Sequence, residues 1–332
     1  MNRGVKIEGA LRFAVARLKK SRAPVVVRWQ MTNSCQASCE YCKVWQSPSD
    51  ELTTDEAKRM LLELRRMGMS RLCFSGGEPL MREDFDDIVG FCDLLGVSME
   101  MNTNGLLVAK HAAGLKKLEI VKISLDGPEE VHDRIRGVRM FADIMSSARA
   151  ARDAGIRISF TTTLVRENTE IEIVDRILDI AREFDTFAAF QPVVPTTPWG
   201  SVELDEVAPD RQKFREVVGH LMEVKARGGS SIRNSMKGLR HVSRWPDFPD
   251  MACTAGIIFV VVESNGDLYA CERTPYPMGT RFPNVRGGVA EAFEDIVMPQ
   301  CGGCGFCGAL ELNFLWNLSL SSWREVLRVV GR

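Results

Sequence analysis

The sequence lacks a long apolar run, a secretion signal and a large net charge. The longest apolar stretches fall short of the about 20 residues that span a bilayer, and the N-terminus has no apolar core followed by a small-residue cleavage site. Lys and Arg number 43 against 44 Asp and Glu, so no global charge attracts nucleic acid or acidic partners. We therefore expect a cytoplasmic protein that does not bind nucleic acid and recognises its partners locally.

What the chain does have is length, apolar residues and cysteine. Its 332 residues, 45% of them hydrophobic, suffice for one large domain and a smaller one. Ten cysteines in a reducing compartment favour metal sites or buried thiols over disulfides. The grouping of these cysteines is therefore the first clue to function.

The first 24 residues predict a basic amphipathic helix at 5–22. Its apolar positions recur at helical spacing, at Ile7, Ala10, Leu11, Ala14, Val15 and Leu18. We expect this helix to cap the domain that follows it. The alternative is peripheral contact with a membrane surface or a partner.

Residues 25–208 alternate between strand-like and helical patterns. Short apolar runs typical of buried parallel strands fall at 25–30, 71–74, 97–103, 120–125, 156–163 and 186–191. A capping box at Thr53 and Glu56 starts one helix, and Gly96 and Gly155 are placed to end two others. Six repeats are too few for a closed barrel. We predict the α/β class, with a partial (β/α)6 TIM-type barrel whose chemistry lies at the carboxyl ends of the strands.

The chain beyond the predicted barrel changes in composition and in its predicted secondary structure. Residues 209–250 predict one helix at 209–227 and a linker. Residues 251–332 open with a hairpin, strands at 257–262 and 268–270 around Asn265 and Gly266, and continue with glycine-rich cysteine sequence. We interpret residues 251–332 as a second, small domain.

Cys35, Cys39 and Cys42 lie in the loop directly after the first predicted strand. Three thiolates can hold three irons of a four-iron cube and leave the fourth iron open to a ligand. A structural zinc site is the alternative, but it normally takes four protein ligands, and no fourth Cys or His follows closely.

This C-x3-C-x2-C run resembles the signature of the radical S-adenosylmethionine superfamily, and three further motifs follow in the family's order. They are the GGEP element at 76–79, the NTNG run that begins at Asn102, and the stretch from Ser124 to Arg136. The resemblance implies a [4Fe-4S] cluster on Cys35, Cys39 and Cys42 whose open iron chelates S-adenosylmethionine. It also implies cofactor contacts by Tyr41 (adenine), by Gly76, Gly77, Glu78 and Pro79 (amino group), by Asn102 (ribose), and by Ser124 and Arg136 (carboxylate). His132 and Asp133 we interpret as local structure.

A second cysteine group occupies the predicted C-terminal domain. The spacing of Cys253, Gly266 and Cys271 resembles the SPASM and Twitch branch of the superfamily, and Cys301, Cys304 and Cys307 follow. Five thiols fit one auxiliary [4Fe-4S] cluster on Cys253, Cys271 and two of the other three. A zinc ribbon is the alternative. Cys73 and Cys92 fall on apolar faces and predict buried, inert thiols.

The resemblance implies reductive cleavage of S-adenosylmethionine to a 5'-deoxyadenosyl radical that abstracts hydrogen from a substrate, with a flavodoxin or ferredoxin as electron donor. An auxiliary cluster would accept an electron, making a net oxidation. Only about 24 residues precede the barrel, whereas peptide-modifying relatives often carry a leader-binding domain there, so we expect a small-molecule or lipid substrate. Alternatives are a maturase of a ribosomally made peptide, an iron-sulfur electron carrier and a zinc-binding nucleic-acid module.

Glu272, directly after Cys271, is a candidate proton acceptor for this oxidation. In related SPASM enzymes an acid often stands at this place beside the cluster. An acid in a turn after a hairpin can equally be a solvated surface charge or a member of an ion pair.

Overall fold

A computed structural model describes residues 3–42, 44–47, 49–194, 196–197, 200–201, 204–229, 231–272, 276, 279–298, 301 and 303–317. Within these ranges no helix combines the length and the apolar character that crossing a bilayer requires. The predicted C-terminal domain falls partly outside them, because residues 318–332 are not described.

The six predicted barrel strands are present, and they run parallel. They are β1 (Val26–Thr32), β2 (Arg71–Gly76), β3 (Ser98–Thr103), β4 (Ile120–Ser124), β5 (Ile158–Leu164) and β6 (Ala188–Pro192). Each strand pairs in parallel with the next along the chain. Because parallel neighbours need crossover connections, this order produces the predicted partial α/β barrel.

Helices precede and connect these strands. They are α1 (Arg3–Lys19), α2 (Thr54–Met67), α3 (Phe85–Leu94), α4 (Ala112–Leu115), α5 (Glu129–Arg136), α6 (Phe141–Asp153) and α7 (Ile171–Glu183). The predicted capping box starts α2, because Thr53 Oγ1 accepts from Glu56 N and the Glu56 carboxylate accepts from Thr53 N. Gly96 and Gly155, with φ of 65° and 77°, follow α3 and α6 in the left-handed conformation that was predicted.

The rest of the chain adds short elements. They are β7 (Thr196–Thr197), β8 (Gly200–Ser201), α8 (Leu204–Val207), α9 (Arg211–Ala226), α10 (Met236–Val242), β9 (Phe259–Val262), β10 (Leu268–Tyr269), α11 (Val289–Glu294) and α12 (Cys307–Trp316). Helix α9 matches the helix predicted at 209–227. Helix α10 lies where a linker was predicted, and it is capped by Ser235, whose side chain accepts from Gly238 N. Its 7 residues, about two turns, are too few to produce a clear period.

The predicted hairpin is part of the barrel sheet. Strand β9 pairs in parallel with β1, from Val26 opposite Phe259 to Trp29 opposite Val262, and β10 pairs antiparallel with β9. The sheet order is therefore β10-β9-β1-β2-β3-β4-β5-β6. This pairing satisfies the backbone of β1 on the side away from β2. The sheet therefore contains strands from both sides of the predicted domain boundary between residues 250 and 251.

The two faces of the sheet differ in chemistry. On the face beneath the helices, Val27, Trp29 and Phe74 are fully buried. The inner face presents half-buried polar side chains, namely Arg28, Glu100, Asn102, Lys122, Ser124, Thr161 and Gln191. A closed TIM barrel fills its interior with bulky apolar residues. Here the interior, called the lumen below, is polar and suited to hold a polar ligand.

Candidate active site

Cys35, Cys39 and Cys42 lie at the carboxyl end of β1, where the barrel prediction places the chemistry. Cys39 is buried and the other two are half-buried. The loop turns tightly, since Cys42 N donates to Cys39 O at 3.1 Å. Burial raises the pKa of the Cys39 thiol to about 11, against an opposing effect of Arg136, and burial also raises the pKa of Cys35. Binding of a metal displaces such protons and would leave thiolate ligands.

Gly76 and Gly77 pack the end of β2 against the segment that leads to Cys35. Gly77 N donates to Thr32 O at 2.7 Å, and Glu78 N donates to Ser34 O at 2.8 Å. A Cβ atom on Gly76 would lie 2.3 Å from Thr32 O, and one on Gly77 would lie 2.2 Å from Ser34 O. The close approach that requires glycine is therefore made to protein backbone.

Glu78 is fully buried and joins the ends of β2 and β3. Its carboxylate accepts from Thr103 Oγ1 at 2.8 Å, from Asn104 N at 2.7 Å and from Leu80 N at 3.1 Å. Burial raises its pKa to about 7, although these hydrogen bonds oppose the shift. Pro79, also buried, begins the short 3-10 turn Pro79–Met81. The contacts of Glu78 are with protein groups, so it builds the frame of the site.

Two asparagines end β3 with different roles. Asn102 lies in the lumen and its Nδ2 donates to Cys73 Sγ at 3.5 Å. Asn104, which was not among the predicted site residues, donates to Gln36 Oε1 at 2.9 Å and lies 3.8 Å from Cys35 Sγ. It thus braces the cysteine loop. Ser124 ends β4 as a half-buried residue on the lumen side.

Arg136, at the end of α5, is the buried cation of the site. Its Nη2 lies 2.5 Å from Asp126 Oδ2, and its Nη1 lies 3.7 Å from Cys39 Sγ. The guanidinium stands 6.0 Å from the centre of the Tyr41 ring. Its Nε is buried and has no hydrogen-bond partner among the residues that the structure describes. The structure thus brings Arg136 and Tyr41 together around Cys39.

Asp126 was not predicted as a site residue, yet it holds Arg136 in place. Its Oδ1 accepts from Thr163 N at 3.0 Å, and its own N donates to His132 Nδ1 at 3.1 Å. Burial, with the nearby Arg136, lowers the pKa of His132 to about 3, so this imidazole is neutral. Asp133 accepts from the backbone N of Met140 and Phe141, next to the start of α6. His132 and Asp133 are therefore the local structure that was expected.

These residues fit the cofactors that the resemblance implies. S-adenosylmethionine carries a carboxylate, and the buried Nε of Arg136 is a donor that such a group would satisfy. Three thiols beside this cation would supply one ligand to each of three irons. Cation, thiols and aromatic ring lie at one end of the lumen.

Glu272 is a buried member of an ion pair in the lumen. Only 1% of its side chain is exposed, and its Oε1 lies 2.9 Å from Arg28 Nη1. Gln30 Nε2 donates to its Oε2 at 3.2 Å. Of the three interpretations, a solvated surface charge does not fit. Arg28 also stands 5.2 Å from the ring centre of Phe306, in the C-terminal cysteine run.

A second ion pair in the lumen joins the neighbouring strands β3 and β4. Lys122 Nζ lies 2.6 Å from Glu100 Oε1. Burial alone would raise the pKa of Glu100, but Lys122, Arg71 and Arg233 outweigh it and lower the pKa to about 2. The lumen therefore holds fixed charges of both signs.

Of the C-terminal cysteines, Cys307 begins α12 and the others lie on loops. Cys253, Cys271 and Cys304 are half-buried, and Cys301 is exposed. Cys253 Sγ accepts from Ala255 N at 3.5 Å. No three Cys, His, Asp or Glu side chains in the described ranges converge on a single-ion site. A cluster does not need such convergence, because each iron takes its own thiolate.

Cys307 makes a short contact with the end of the barrel sheet. Its Sγ donates to Phe190 O at 3.0 Å and accepts from Asn234 Nδ2 at 3.5 Å. Cys304 Sγ also donates to a backbone oxygen, that of Phe306, but at the longer distance of 3.8 Å. Elsewhere in the chain, Cys73 and Cys92 are buried, as predicted.

Comparison with known proteins gives the same family as the motifs. Residues 29–180 match the model of the radical SAM superfamily. The chain is 26% identical over 323 residues to the AdoMet-dependent heme synthase of Methanosarcina barkeri, covering 86% of this chain and 89% of that protein. It is also 26% identical over 308 residues to the mycofactocin maturase MftC of Mycolicibacterium smegmatis, with coverages of 86% and 76%.

Solved structures share the fold. SuiB of Streptococcus suis bound to S-adenosylmethionine superposes with a TM-score of 0.68 at 17% identity, covering 86% of this chain and 69% of that one. Native anSMEcpe with bound AdoMet gives a TM-score of 0.62 at 19% identity, with coverages of 82% and 80%. The motifs, the parallel sheet and these similarities agree: residues 29–180 form a radical S-adenosylmethionine domain, and the chain is an enzyme that binds a [4Fe-4S] cluster and S-adenosylmethionine.

Proposed function

We propose that Cys35, Cys39 and Cys42 hold the catalytic cluster and that Arg136 holds the carboxylate of S-adenosylmethionine. When bound, these cofactors supply a 5'-deoxyadenosyl radical that removes hydrogen from the substrate. The position of Arg136 carries the proposal, because one buried guanidinium faces Cys39, Tyr41 and Asp126 and keeps an unpartnered Nε among the described residues. A flavodoxin or ferredoxin would deliver the electron.

The lumen is proposed to hold the substrate. Its polar wall supplies donors and acceptors from neighbouring strands, including Asn102, Ser124 and Gln191 at their carboxyl ends. The apolar opposite face of the sheet and its helices seal the lumen from the side. Exclusion of water and stray hydrogen donors is what a reactive radical requires of the protein.

An auxiliary [4Fe-4S] cluster is proposed on Cys253, Cys271, Cys301 and Cys304. The hydrogen bond of Cys307 to Phe190 O, at 3.0 Å shorter than that of Cys304 to Phe306 O at 3.8 Å, supports leaving Cys307 out. Four protein thiolates leave no iron open, so this cluster would accept an electron from the product radical in a net oxidation.

Glu272 is proposed as the proton acceptor of that oxidation. Arg28 and Gln30, both on β1, orient its two carboxylate oxygens within the lumen. Oxidation of a carbon radical that bears a hydroxyl or amine releases a proton, which an oriented carboxylate can take.

The substrate class best supported is a ribosomally made peptide. MftC is named as a maturase, and SuiB has been solved with its precursor peptide SuiA. These similarities favour the maturase alternative over the small molecule or lipid that the sequence led us to expect. A small molecule is the second candidate, because the heme synthase of Methanosarcina barkeri aligns over 89% of its length.

Protease treatment separates the two substrate classes. The anaerobically reconstituted enzyme is incubated with reductant, S-adenosylmethionine and an extract of the source cell, and 5'-deoxyadenosine is measured together with the mass of any product. A peptide substrate predicts that protease digestion of the extract, followed by removal of the protease, abolishes the extract-dependent product. Survival of that product in the digested extract would favour the small molecule. Absence of 5'-deoxyadenosine under all conditions would overturn the assignment of the cofactor site.

A further inference from the structure

Helix α1 uses one face to close the end of the barrel opposite the cysteine loop. Ala16 is buried with Val25 and Ile258, which directly precede β1 and β9, and Phe13 packs edge to face on Trp316 at 5.5 Å. These contacts lie at the amino ends of the strands, whereas Cys35 follows the carboxyl end of β1. The inner face of α1 therefore packs on the amino ends of the strands, and the active site is at the other end.

The outer face of α1 carries an exposed apolar stripe. Leu11, Val15 and Leu18 are 60%, 46% and 82% exposed. At 3.6 residues per turn they lie within about 60° of one another around the helix axis. The other strongly exposed large apolar side chains in the described ranges stand singly on separate elements. Single exposed apolar residues are ordinary, but a stripe of three on one helix face is a contact surface.

Basic residues flank this stripe. Lys19 and Lys20 are exposed beside Leu18, and the sequence from 9 to 22 contains no Asp or Glu. Glu8 is the only acid of the helix, and it is paired with Arg12 and Arg65. Apolar side chains bordered by lysines on a helix that lies along the surface match the composition of interfacial helices.

We propose that the outer face of α1 docks on an anionic lipid bilayer. Leu11, Val15 and Leu18 would enter the boundary between headgroups and acyl chains, and Lys19 and Lys20 would contact the acidic headgroups. The helix would lie in the membrane plane, and the carboxyl ends of the strands, with Cys35, Cys39 and Cys42, would face away from it. Docking therefore leaves the entrance to the site accessible.

Vesicle sedimentation of the full-length reconstituted enzyme tests this surface. The protein is mixed with vesicles of phosphatidylcholine alone or with added phosphatidylglycerol. We expect sedimentation only with phosphatidylglycerol, weakened by salt. The triple substitution Leu11→Ser, Val15→Ser and Leu18→Ser should reduce binding at least about tenfold, and Lys19→Gln about fivefold.

Ile171→Ser is the matched control, because Ile171 is 37% exposed and begins α7, which follows the carboxyl end of β5 and so lies at the end of the barrel opposite α1. It should bind as the unaltered enzyme does, and all variants should cleave S-adenosylmethionine normally, which also shows that they fold. The proposal fails if the unaltered enzyme does not bind anionic vesicles, or if the triple and control variants bind alike. A stripe occupied by a second copy of the chain would instead appear as a dimer that the triple substitution converts to monomer.

Discussion

At the scale of single residues, the site is organised by a buried pair that the motifs reveal only in part. Arg136 was predicted as a cofactor ligand from its motif. Asp126 is a single polar residue just after β4, and nothing in the sequence around it predicts a role in the site. It acquires a role when the fold places its carboxylate 2.5 Å from the Arg136 guanidinium. Asn104 is a similar case, because its contact with Gln36 depends on two loops that are distant in sequence.

Substitution of Arg136 should weaken cofactor binding. A charge-assisted hydrogen bond contributes roughly 1.5 to 3 kcal/mol, so Arg136→Ala should raise the Kd for S-adenosylmethionine about 10-fold to 100-fold. Calorimetric titration of the anaerobically reconstituted enzyme measures this. Asp126→Asn, which keeps the shape and removes the charge that orients Arg136, should have a smaller effect in the same direction. An unchanged Kd for Arg136→Ala would remove it from the site.

Glu78 should make stability depend on pH. Its folded pKa of about 7 is above the ordinary 4.5, so the folded protein binds more protons than the unfolded chain between these values. The free energy of unfolding therefore falls as the pH rises from about 4.5 to about 7, by on the order of 3 kcal/mol in total. Glu78→Gln cannot ionise. Thermal unfolding of the reconstituted proteins between pH 5 and 8 should show wild type losing stability relative to this variant, and parallel pH profiles would contradict the assignment.

The role of Glu272 can be separated from its ion pair. Glu272→Gln keeps the shape and removes the basicity, so S-adenosylmethionine cleavage should persist while product formation falls at least about 100-fold. Gln30→Ala removes one hydrogen bond to the carboxylate and keeps the acid, and it should cause a smaller loss. Product and 5'-deoxyadenosine are quantified in the same reaction. Near-normal turnover of Glu272→Gln would leave this residue with a structural role only.

At the scale of elements, local patterns were sufficient for most of the barrel and insufficient for its edge. Strands β1 to β6 are short segments with buried apolar side chains on one face, and α2 has its own start signal, so each could be predicted from its local sequence. The strand with which β9 pairs cannot be predicted from local sequence. Its four buried residues predict a strand, but the pairing with β1 joins segments more than 200 residues apart and is set by tertiary packing.

Helix α1 should be dispensable for cofactor cleavage. It contacts the amino ends of the strands, so removal of residues 1–20 should lower the thermal midpoint by exposing Val25 and Ile258 while 5'-deoxyadenosine still forms. Arg22 is retained because its guanidinium donates to Gly256 O and Phe293 O. The truncated enzyme is compared with the full chain for cleavage rate and unfolding temperature. A folded truncation that cannot cleave S-adenosylmethionine would place α1 within the catalytic unit.

At the scale of the whole molecule, both cysteine groups are attached to one sheet. Cys35 follows β1, and Cys271 follows β10, which pairs with β9 on the free edge of β1. The separation of the two proposed clusters is therefore set by the one sheet that carries both cysteine groups. A flexible linker between domains would not fix it.

Two independent clusters predict a specific iron content. Replacing Cys35, Cys39 and Cys42 together by Ala should abolish 5'-deoxyadenosine formation and leave about half the iron, since the C-terminal thiols remain. Iron and sulfide analysis of the reconstituted variant, with circular dichroism to confirm folding, measures this. Cys307→Ala should retain full iron content. Complete loss of iron from a folded triple variant would contradict independent clusters.

The pairing of β9 with β1 also sets the order in which the protein can be completed during translation. Strand β1 ends at Thr32 and β9 begins at Phe259, so at about 5 to 20 residues per second the ribosome needs roughly 10 to 45 seconds to supply the second after the first. Throughout that interval the nascent chain exposes the unpaired edge of β1, a template for aggregation. The free edge of β1 can therefore be covered by β9 only after more than three quarters of the chain has been synthesised.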